Sequence, residues 1–426
     1  MANRNLLVYF HDELVGRLDE DANAALSFTY ESDYATQRHA KPLSQSLPVR
    51  AESFDHWQTR PFFSGLLPEG GARERVAKYF GVSERNDFSL LEKIGGECAG
   101  AVTLLPLEAG PPDHAPDYRR LDDTALARLL DELPNRPLLA GEDGVRLSLA
   151  GAQDKLPIYR DREGFALPIG GAPSSHILKP AIERFAGIVE NEAFCLSIAG
   201  AAGLRAAGAE IVDVGNHRCL IVERYDRARN DDGTLRRLHQ EDFCQALGLP
   251  PERKYQAEQG PSIATCFELI RSTARPPGPQ ILHFLDAIVL DFLVGNADAH
   301  AKNFALLHVN GTVVSPLYDV VSTAIYPELT PKMAMKIGSK YRHADVMPRH
   351  WRALGESAAL QPRRVQHRVL QMCERMPDIA VAERDRFRAV GNHCPELDQI
   401  VDTISDRARS MVTRFEIDAK VATGRL

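Results

Sequence analysis

The chain has 426 residues, 44% of them hydrophobic and 26% charged, with a formal net charge of −7. Those values describe an ordinary globular protein of two or three structural units, and they exclude a surface that binds nucleic acid over its whole extent. The seven cysteines (98, 195, 219, 244, 266, 373, 394) are scattered, odd in number and without a C-x-x-C pair, which predicts a reducing cytoplasm rather than a disulfide framework or a zinc ribbon. No apolar stretch is expected to reach the roughly 18 residues of a membrane span, and the apolar run in "MANRNLLVYFHDELVG" is too short for a signal peptide.

Residues 5–30 alternate apolar runs ("LLVYF", "LVGRL", "ALSFTY") with polar turns, the pattern of a small antiparallel meander. "EGGARERVAKYFGV" spaces Val76, Tyr79 and Phe80 at helical intervals and stops at Gly81, a C-cap. "NDFSLLEKIGG" opens a second helix with Asn86 or Asp87 as N-cap, and "AGAVTLLPL" returns to strand. The Pro- and Gly-rich "EAGPPDHAPDYRR" reads as a linker, which places a first subdomain at 1–108.

From 145 to 180 the reading is strand ("VRLSL"), turn ("AGAQ"), a pair of strands in "KLPIYRDREGFALPI" with a hairpin at Arg162–Gly164, then the strand "HILKP". Residues 109–180 thus complete a β-rich front half. Beyond 181 helices dominate, at 185–203, 239–247, 281–295, 362–375 and 398–416, interrupted by the strand "CLIVERY". "RSTARPPGPQ" reads as a loop, because its prolines forbid helix continuation. Arg363, Arg364, His367 and Arg368 make a basic stretch that reads as a solvated helix face or as a contact surface.

Several stretches carry chemistry. In "SLAGAQDKL" Gly151 lies between Ala150 and Ala152, small residues whose main-chain N–H groups can approach an anion as a nest; a plain hairpin turn would look the same. Lys179 ends an apolar strand, and Glu190 and Glu192 open a helix eleven and thirteen residues later. A strand Lys paired with a helix Glu aims an ammonium at α- and β-phosphates in kinases, whereas on a surface the same pair is an ordinary salt bridge. "CLIVERYDR" ends a strand in Glu223, Arg224 and Tyr225, where departing backbone can read an adenine edge.

The stretch "DFLVGNADAHAKNFAL" packs Asn296, Asp298, His300, Lys302 and Asn303 behind an apolar run. Asp298 and Asn303 stand five apart, the spacing of kinase catalytic loops. The Asn-Gly of "HVNGTVV" predicts a hairpin that brings Asn303 near Asp319. An amide carbonyl and a carboxylate are hard oxygen ligands suited to Mg²⁺, which leaves Asp298 to accept or orient a nucleophile's proton and Lys302 near the γ-phosphate. A rival reading makes His300 and the aspartates a transition-metal site. Taken in order, the phosphate turn, strand Lys, helix Glu, linker, Asp-x₄-Asn and metal Asp follow the sequence of parts in a kinase.

With these motifs in place the chain resembles the HipA family, the serine/threonine kinase toxins of bacterial HipA–HipB toxin–antitoxin modules. The matching motifs are "GLLPEG", "SLAGAQDKL", "HILKP", "VENEAFC", "VERYDR", "HQEDFCQALG" with its later "KY", "GNADAHAKNFAL" and "PLYDVVST". The resemblance implies an α+β, two-lobed protein-kinase-like fold, with a β-rich N-terminal lobe that carries a small N-terminal subdomain and a mostly helical lobe over 181–426. It implies Asp298 as the catalytic Asp, Asn303 and Asp319 as Mg²⁺ ligands, and Ser148 as an autophosphorylated serine. ATP contacts would come from Ala150, Gly151, Ala152, Gln153, Asp154, Lys155, Lys179, Glu223, Arg224, Tyr225, His300, Lys302 and Asn303. The implied partners are a HipB-like helix-turn-helix antitoxin, operator DNA mainly through that antitoxin, and a protein substrate in translation such as an aminoacyl-tRNA synthetase, with no membrane. Two other classes stay open: a non-catalytic corepressor of an antitoxin–DNA complex, and a small-molecule phosphotransferase.

Overall fold

Alternating inward and outward side chains turn residues 4–30 into three antiparallel strands, Arg4–Phe10, Glu13–Glu20 and Leu26–Tyr30. Val102–Pro106 joins the first of them to complete a four-stranded sheet. The computed structural model describes residues 4–110, 117–151 and 153–422. Leu6, Val8, Leu18 and Phe28 are fully buried in one core with Phe62, Phe63, Val76 and Leu90 of the following helices, each side chain contributing about 1.5–3 kcal/mol. Asn86 is the N-cap of Asp87–Ile94, accepting the Ser89 N–H at 2.6 Å, and Asp87 is taken instead by Arg60 and Arg73. Gly81 ends Gly70–Phe80 at φ 65° as predicted. Of the three apolar residues that signalled that helix, Val76 is in the core, Phe80 is half-buried and Tyr79 is 47% exposed.

Contacts divide the chain into two units: 1–180 with 212–251 and 307–309, and 181–211 with 252–306 and 310–426. Besides the first sheet, the first unit holds a second, whose strand order is Asp117–Leu121, Gly164–Ile169, Leu156–Asp161, His176–Pro180, His217–Glu223 and Ala209–Val214. The hairpin at 162–164 forms in register, Asp161 opposite Gly164. Two expectations need correction. "DYRR" is an edge strand rather than linker, since Asp117 to Leu121 pairs with Ile169 back to Phe165. "VRLSL" is not a regular strand: it is extended chain tied by a single bridge, Leu147 to Glu97. The helix Asp123–Glu132, capped by Asp122, was not foreseen.

At 239–247 a continuous helix was expected. The chain instead runs as a strand, His239–Asp242, and then takes one helical turn, Phe243–Ala246. Asp242 accepts the Gln245 N–H while Gln245 Oε1 accepts the Asp242 N–H, both at 2.9 Å, so a capping box starts the helix only there.

The second unit is mostly helical: Ile188–Ala201, Ile263–Thr273, Pro277–Val294, Pro348–Ser357, Pro362–Ala389 and Pro395–Ala422. "RSTARPPGPQ" is not the long loop its prolines suggested. Pro276 is the N-cap and Pro277 the first residue of the next helix, positions where the missing N–H costs nothing. The membrane expectation also needs amendment, because Pro277–Val294 is by length and composition long and apolar enough to cross a membrane. It is a core helix here: most of it is buried, including Phe284, Leu290 and Leu293. The predicted hairpin forms from Ala305–His308 and Thr312–Val314, with Asn310 and Gly311 at φ 48° and 123°.

Candidate active site

In the second unit, the Pro277–Val294 helix ends because Gly295 adopts φ 79°, a conformation that suits a residue without Cβ. A Cβ there would also meet Ala324 at 2.6 Å and the Arg407 guanidinium at 2.9 Å. Arg407 donates to the Phe292 carbonyl at 2.8 Å, a cation at the negative end of the helix dipole, and burial pushes its pKa down to about 10. The loop that follows is sewn in place by polar groups. Asn296 donates to Asp291 Oδ1 at 2.9 Å and accepts the Asp298 N–H at 3.0 Å. Thr323 accepts the Ala297 N–H at 2.8 Å and donates to the Gly295 carbonyl at 3.0 Å, while the Ala334 N–H reaches the Ala297 carbonyl at 2.8 Å.

From Asp291 to Leu307 every residue is buried except Asp298. Its carboxylate stands out of an otherwise closed loop and accepts the Tyr255 phenol at 2.6 Å. The Tyr255 ring lies edge-on to His300, with centroids 5.2 Å apart. Beneath the loop, burial raises the Asp291 carboxyl to about 7.

The hairpin does bring Asn303 and Asp319 together. Asn303 Nδ2 donates to Asp319 Oδ2 at 3.1 Å, and Tyr318 ties the two ends by donating to the Lys302 carbonyl at 2.7 Å. Asp319 is exposed and holds φ 58°, a left-handed conformation that costs a residue with a Cβ on the order of 1–2 kcal/mol. Asn303 Oδ1 is buried and has no hydrogen-bond partner. An orphaned amide oxygen beside a carboxylate fits a hard divalent cation. Among the described residues no group of three or more His, Cys, Asp or Glu gathers to hold a metal. Glu190 and Glu192 lie in the Ile188–Ala201 helix, both buried, and between them Asn191 exchanges two hydrogen bonds with Ser322, at 2.8 and 3.0 Å. That grip fixes the chain just past Asp319.

In the first unit, the expected phosphate turn is held from within. Lys155 Nζ donates to the Ala150 carbonyl at 2.6 Å, and a Cβ on Gly151, at φ 110°, would lie 2.5 Å from that ammonium. The Glu69 N–H donates to the Gly151 carbonyl at 3.0 Å, and Arg75 pairs with Asp154 at 2.5 Å. Gln153 lies next on the turn, half-buried, and Ala152 falls outside the described residues. Ser148 is fully buried: its hydroxyl donates to the Leu66 carbonyl at 2.8 Å and its N–H to the Glu97 carbonyl at 2.9 Å. Lys179 is buried opposite Leu220, and Glu223 is exposed opposite His176.

Arg224 is spent inside the fold. Its guanidinium bonds Glu97 at 3.0 Å, Asp226 at 2.8 Å, Ser174 at 2.8 Å and the Cys98 carbonyl at 3.2 Å. Burial opposes these charges, yet Arg224 and Arg227 outweigh it and hold the Asp226 carboxyl well below the usual carboxylate range. The side chain is therefore a structural rivet at the end of the strand. Tyr225, beside it, donates to Gln240.

Asp291, Tyr255, Asn191 and Thr323 are not singled out by the sequence, and Asn296 is noted there without a role of its own. The "KY" at 254–255 was visible as a motif but had no role attached; Asn191 and Thr323 are polar residues whose partners are remote in sequence, and Asp291 sits inside an apolar run.

Two family descriptions match this chain: "HipA N-terminal domain" over residues 6–105 and "HipA-like C-terminal domain" over residues 147–380. The chain is 42% identical over 416 residues to the Sinorhizobium fredii protein Y4mE, which covers 96% of this chain and 99% of that one. It is 30% identical over 351 residues to the serine/threonine-protein kinase toxin HipA of Shewanella oneidensis, covering 79% of each chain. Among solved structures it is similar to the HipA, HipB and operator DNA complex of Shewanella oneidensis MR-1, with TM-score 0.83 and 25% identity over 96% of this chain and 97% of that one. The expected α+β, kinase-like fold stands, and the chain belongs to the HipA family.

Proposed function

We propose that the protein is a serine/threonine kinase that uses ATP with Mg²⁺ and acts as the toxin of a toxin–antitoxin pair. Its partner would be a small HipB-like helix-turn-helix antitoxin, through which it meets operator DNA. Its target would be a protein of translation such as an aminoacyl-tRNA synthetase, in the cytoplasm. The observation that carries this reading is the one exposed carboxylate, Asp298, in a loop otherwise closed, five residues before the orphaned amide oxygen of Asn303. The similarity to the Shewanella kinase toxin HipA, and to the HipA that is in complex with HipB and operator DNA, supports the biological half of the proposal.

Phosphoryl transfer leaves little covalent work to the protein, so positioning and charge do most of it. Asp298 would orient a Ser or Thr hydroxyl and accept its proton as the oxygen bonds to the γ-phosphorus and the bond to the β–γ bridging oxygen breaks, with ADP leaving. Asn303 Oδ1 and the Asp319 carboxylate would hold Mg²⁺, which would supply positive charge to offset that of the phosphates. The main chain at Ala150, Gly151 and Ala152, with Gln153, Asp154, Lys155 and Lys179, would engage the phosphates, together with His300 and Lys302. Glu223 and Tyr225 would face the base, and Arg224 would contribute by fixing the chain between them.

Ser148 is the proposed site of self-phosphorylation. Its hydroxyl must first leave the Leu66 carbonyl. A phosphoserine carries about −1.5 to −2 charges and could not return to a fully buried position, so the modified turn would stay out and ATP binding would be lost. The test is labelled ATP incubated with the purified chain and a cell lysate, followed by mass spectrometry. Label in protein, with phosphate on Ser148 and both absent in Asp298→Asn, supports the kinase. Label only in small molecules, or no label at all, moves the assignment to a phosphotransferase or to a corepressor.

A further inference from the structure

We infer that Tyr255 is a positioning residue that sets the plane of the Asp298 carboxylate; the inference rests on the kinase reading above. Asp298 is exposed, and its main chain is fixed by the Asn296 side chain, which accepts its N–H at 3.0 Å, and by the His300 N–H, which reaches its carbonyl at 2.7 Å. Neither bond controls its side-chain torsions. A proton acceptor is useful only when it meets the attacking hydroxyl in one narrow geometry.

Tyr255 supplies what the main chain does not. Its phenol takes Asp298 Oδ1 at 2.6 Å, the length of a charge-assisted O–H···O⁻ bond. That bond fixes the carboxylate plane, so an incoming hydroxyl meets the other oxygen in one orientation.

The phenol is itself held independently of Asp298. The Tyr255 carbonyl accepts the N–H groups of Glu258 and Gly260, both at 2.9 Å. A Cβ on Gly260 would lie 2.6 Å from that carbonyl oxygen, so the turn closes this tightly only on glycine. The preceding carbonyl, of Lys254, accepts the Ala301 N–H at 3.3 Å. The ring packs edge-on to His300 at 84°. The 254–260 turn and the 295–303 loop are thereby registered to one another, and the phenol is delivered at a fixed point above the carboxylate.

The isosteric Tyr255→Phe keeps the ring contact and removes only the hydroxyl. Incorporation of labelled phosphate into the full-length chain, measured against ATP concentration, separates maximal rate from half-saturating ATP. The expected result is a maximal rate lower by about 10- to 100-fold with half-saturating ATP and the thermal midpoint unchanged. A structural role would move the midpoint, and a nucleotide-binding role would move half-saturating ATP; either pattern, or a wild-type maximal rate, overturns the inference. Asp298→Asn is the internal control. If Asp298→Asn incorporates phosphate as fast as the wild type, or if the wild type incorporates none, the kinase reading itself fails and takes this role with it. A slow Asp298→Asn beside a wild-type Tyr255→Phe rejects the Tyr255 role alone.

Discussion

Replacing Asp291 by Asn should stabilise the protein, and increasingly so as pH rises. Asp291 lies in the last turn of the Pro277–Val294 helix, its side chain bonded to Asn296 Nδ2 at 2.9 Å, and burial lifts its carboxyl from 3.8 to about 7. Between those two values the folded chain holds a proton that the unfolded chain has released. Stability therefore falls as pH rises from about 4 to about 7, by about 1.4 kcal/mol per pH unit, and stays low above that. The whole cost is on the order of 4 kcal/mol at pH 8 and on the order of 1–2 kcal/mol at pH 5. Asn is neutral at every pH, nearly isosteric, and its carbonyl can still accept from Asn296. Urea denaturation of both proteins at pH 5 and pH 8 isolates the effect, because every other titrating group is common to the two. The expected outcome is a gain for Asp291→Asn that is larger at pH 8 by about 2–3 kcal/mol. Equal gains at both pH values, or a loss at pH 8, would refute the idea that a costly ionised carboxylate is buried under the loop.

The opposite sign is expected at Glu97. It is fully buried and bonds Arg224 at 3.0 Å and Arg227; burial raises its pKa, but Arg224, Arg227 and Arg237 together hold it below the usual range. Glu97→Gln should cost about 3–5 kcal/mol at pH 7, by leaving buried guanidinium charge uncompensated. The depressed carboxyl's contribution is fully present only above its unfolded pKa of 4.5 and is lost as pH falls below it. The deficit measured by urea denaturation should accordingly shrink at pH 3, and a deficit independent of pH would exclude the charge argument. Asp319→Asn should raise the Mg²⁺ concentration for half-maximal phosphate incorporation by at least about tenfold, with the fold unchanged by circular dichroism. An unaltered Mg²⁺ titration would remove Asp319 from the proposed ligand set.

Local signals account for much of the fold. The period-two alternation at 4–30, the Gly81 stop, the Asn86 cap and the Asn-Gly hairpin at 310–311 are each decided within a few residues, and the structure has them all. The misreadings occurred where a distant partner outvotes the local pattern. "DYRR" looks like linker until Gly164–Ile169 pairs with it. "VRLSL" looks like a strand, but among the described residues no neighbour runs alongside it for more than a single bridge at Glu97. The two prolines at 276–277 forbid a helix only when they are interior, and here they begin one.

For the candidate site, the sequence by itself determined the inventory: Asp298, Asn303 and Asp319, the turn at 148–155 and Lys179, because the order and spacing of chemically special side chains are properties of the chain. Tertiary structure alone decided their circumstances. Asp298 is left exposed while its neighbours are buried; Asn303 donates an amide hydrogen to Asp319 and keeps an unpaired oxygen; the Arg224 guanidinium is consumed by Glu97 and Asp226; and Tyr255 arrives over a carboxylate 43 residues further along the chain. Burial and hydrogen bonding between residues far apart in sequence depend on which segments fold against one another, and no pattern within a short window encodes that.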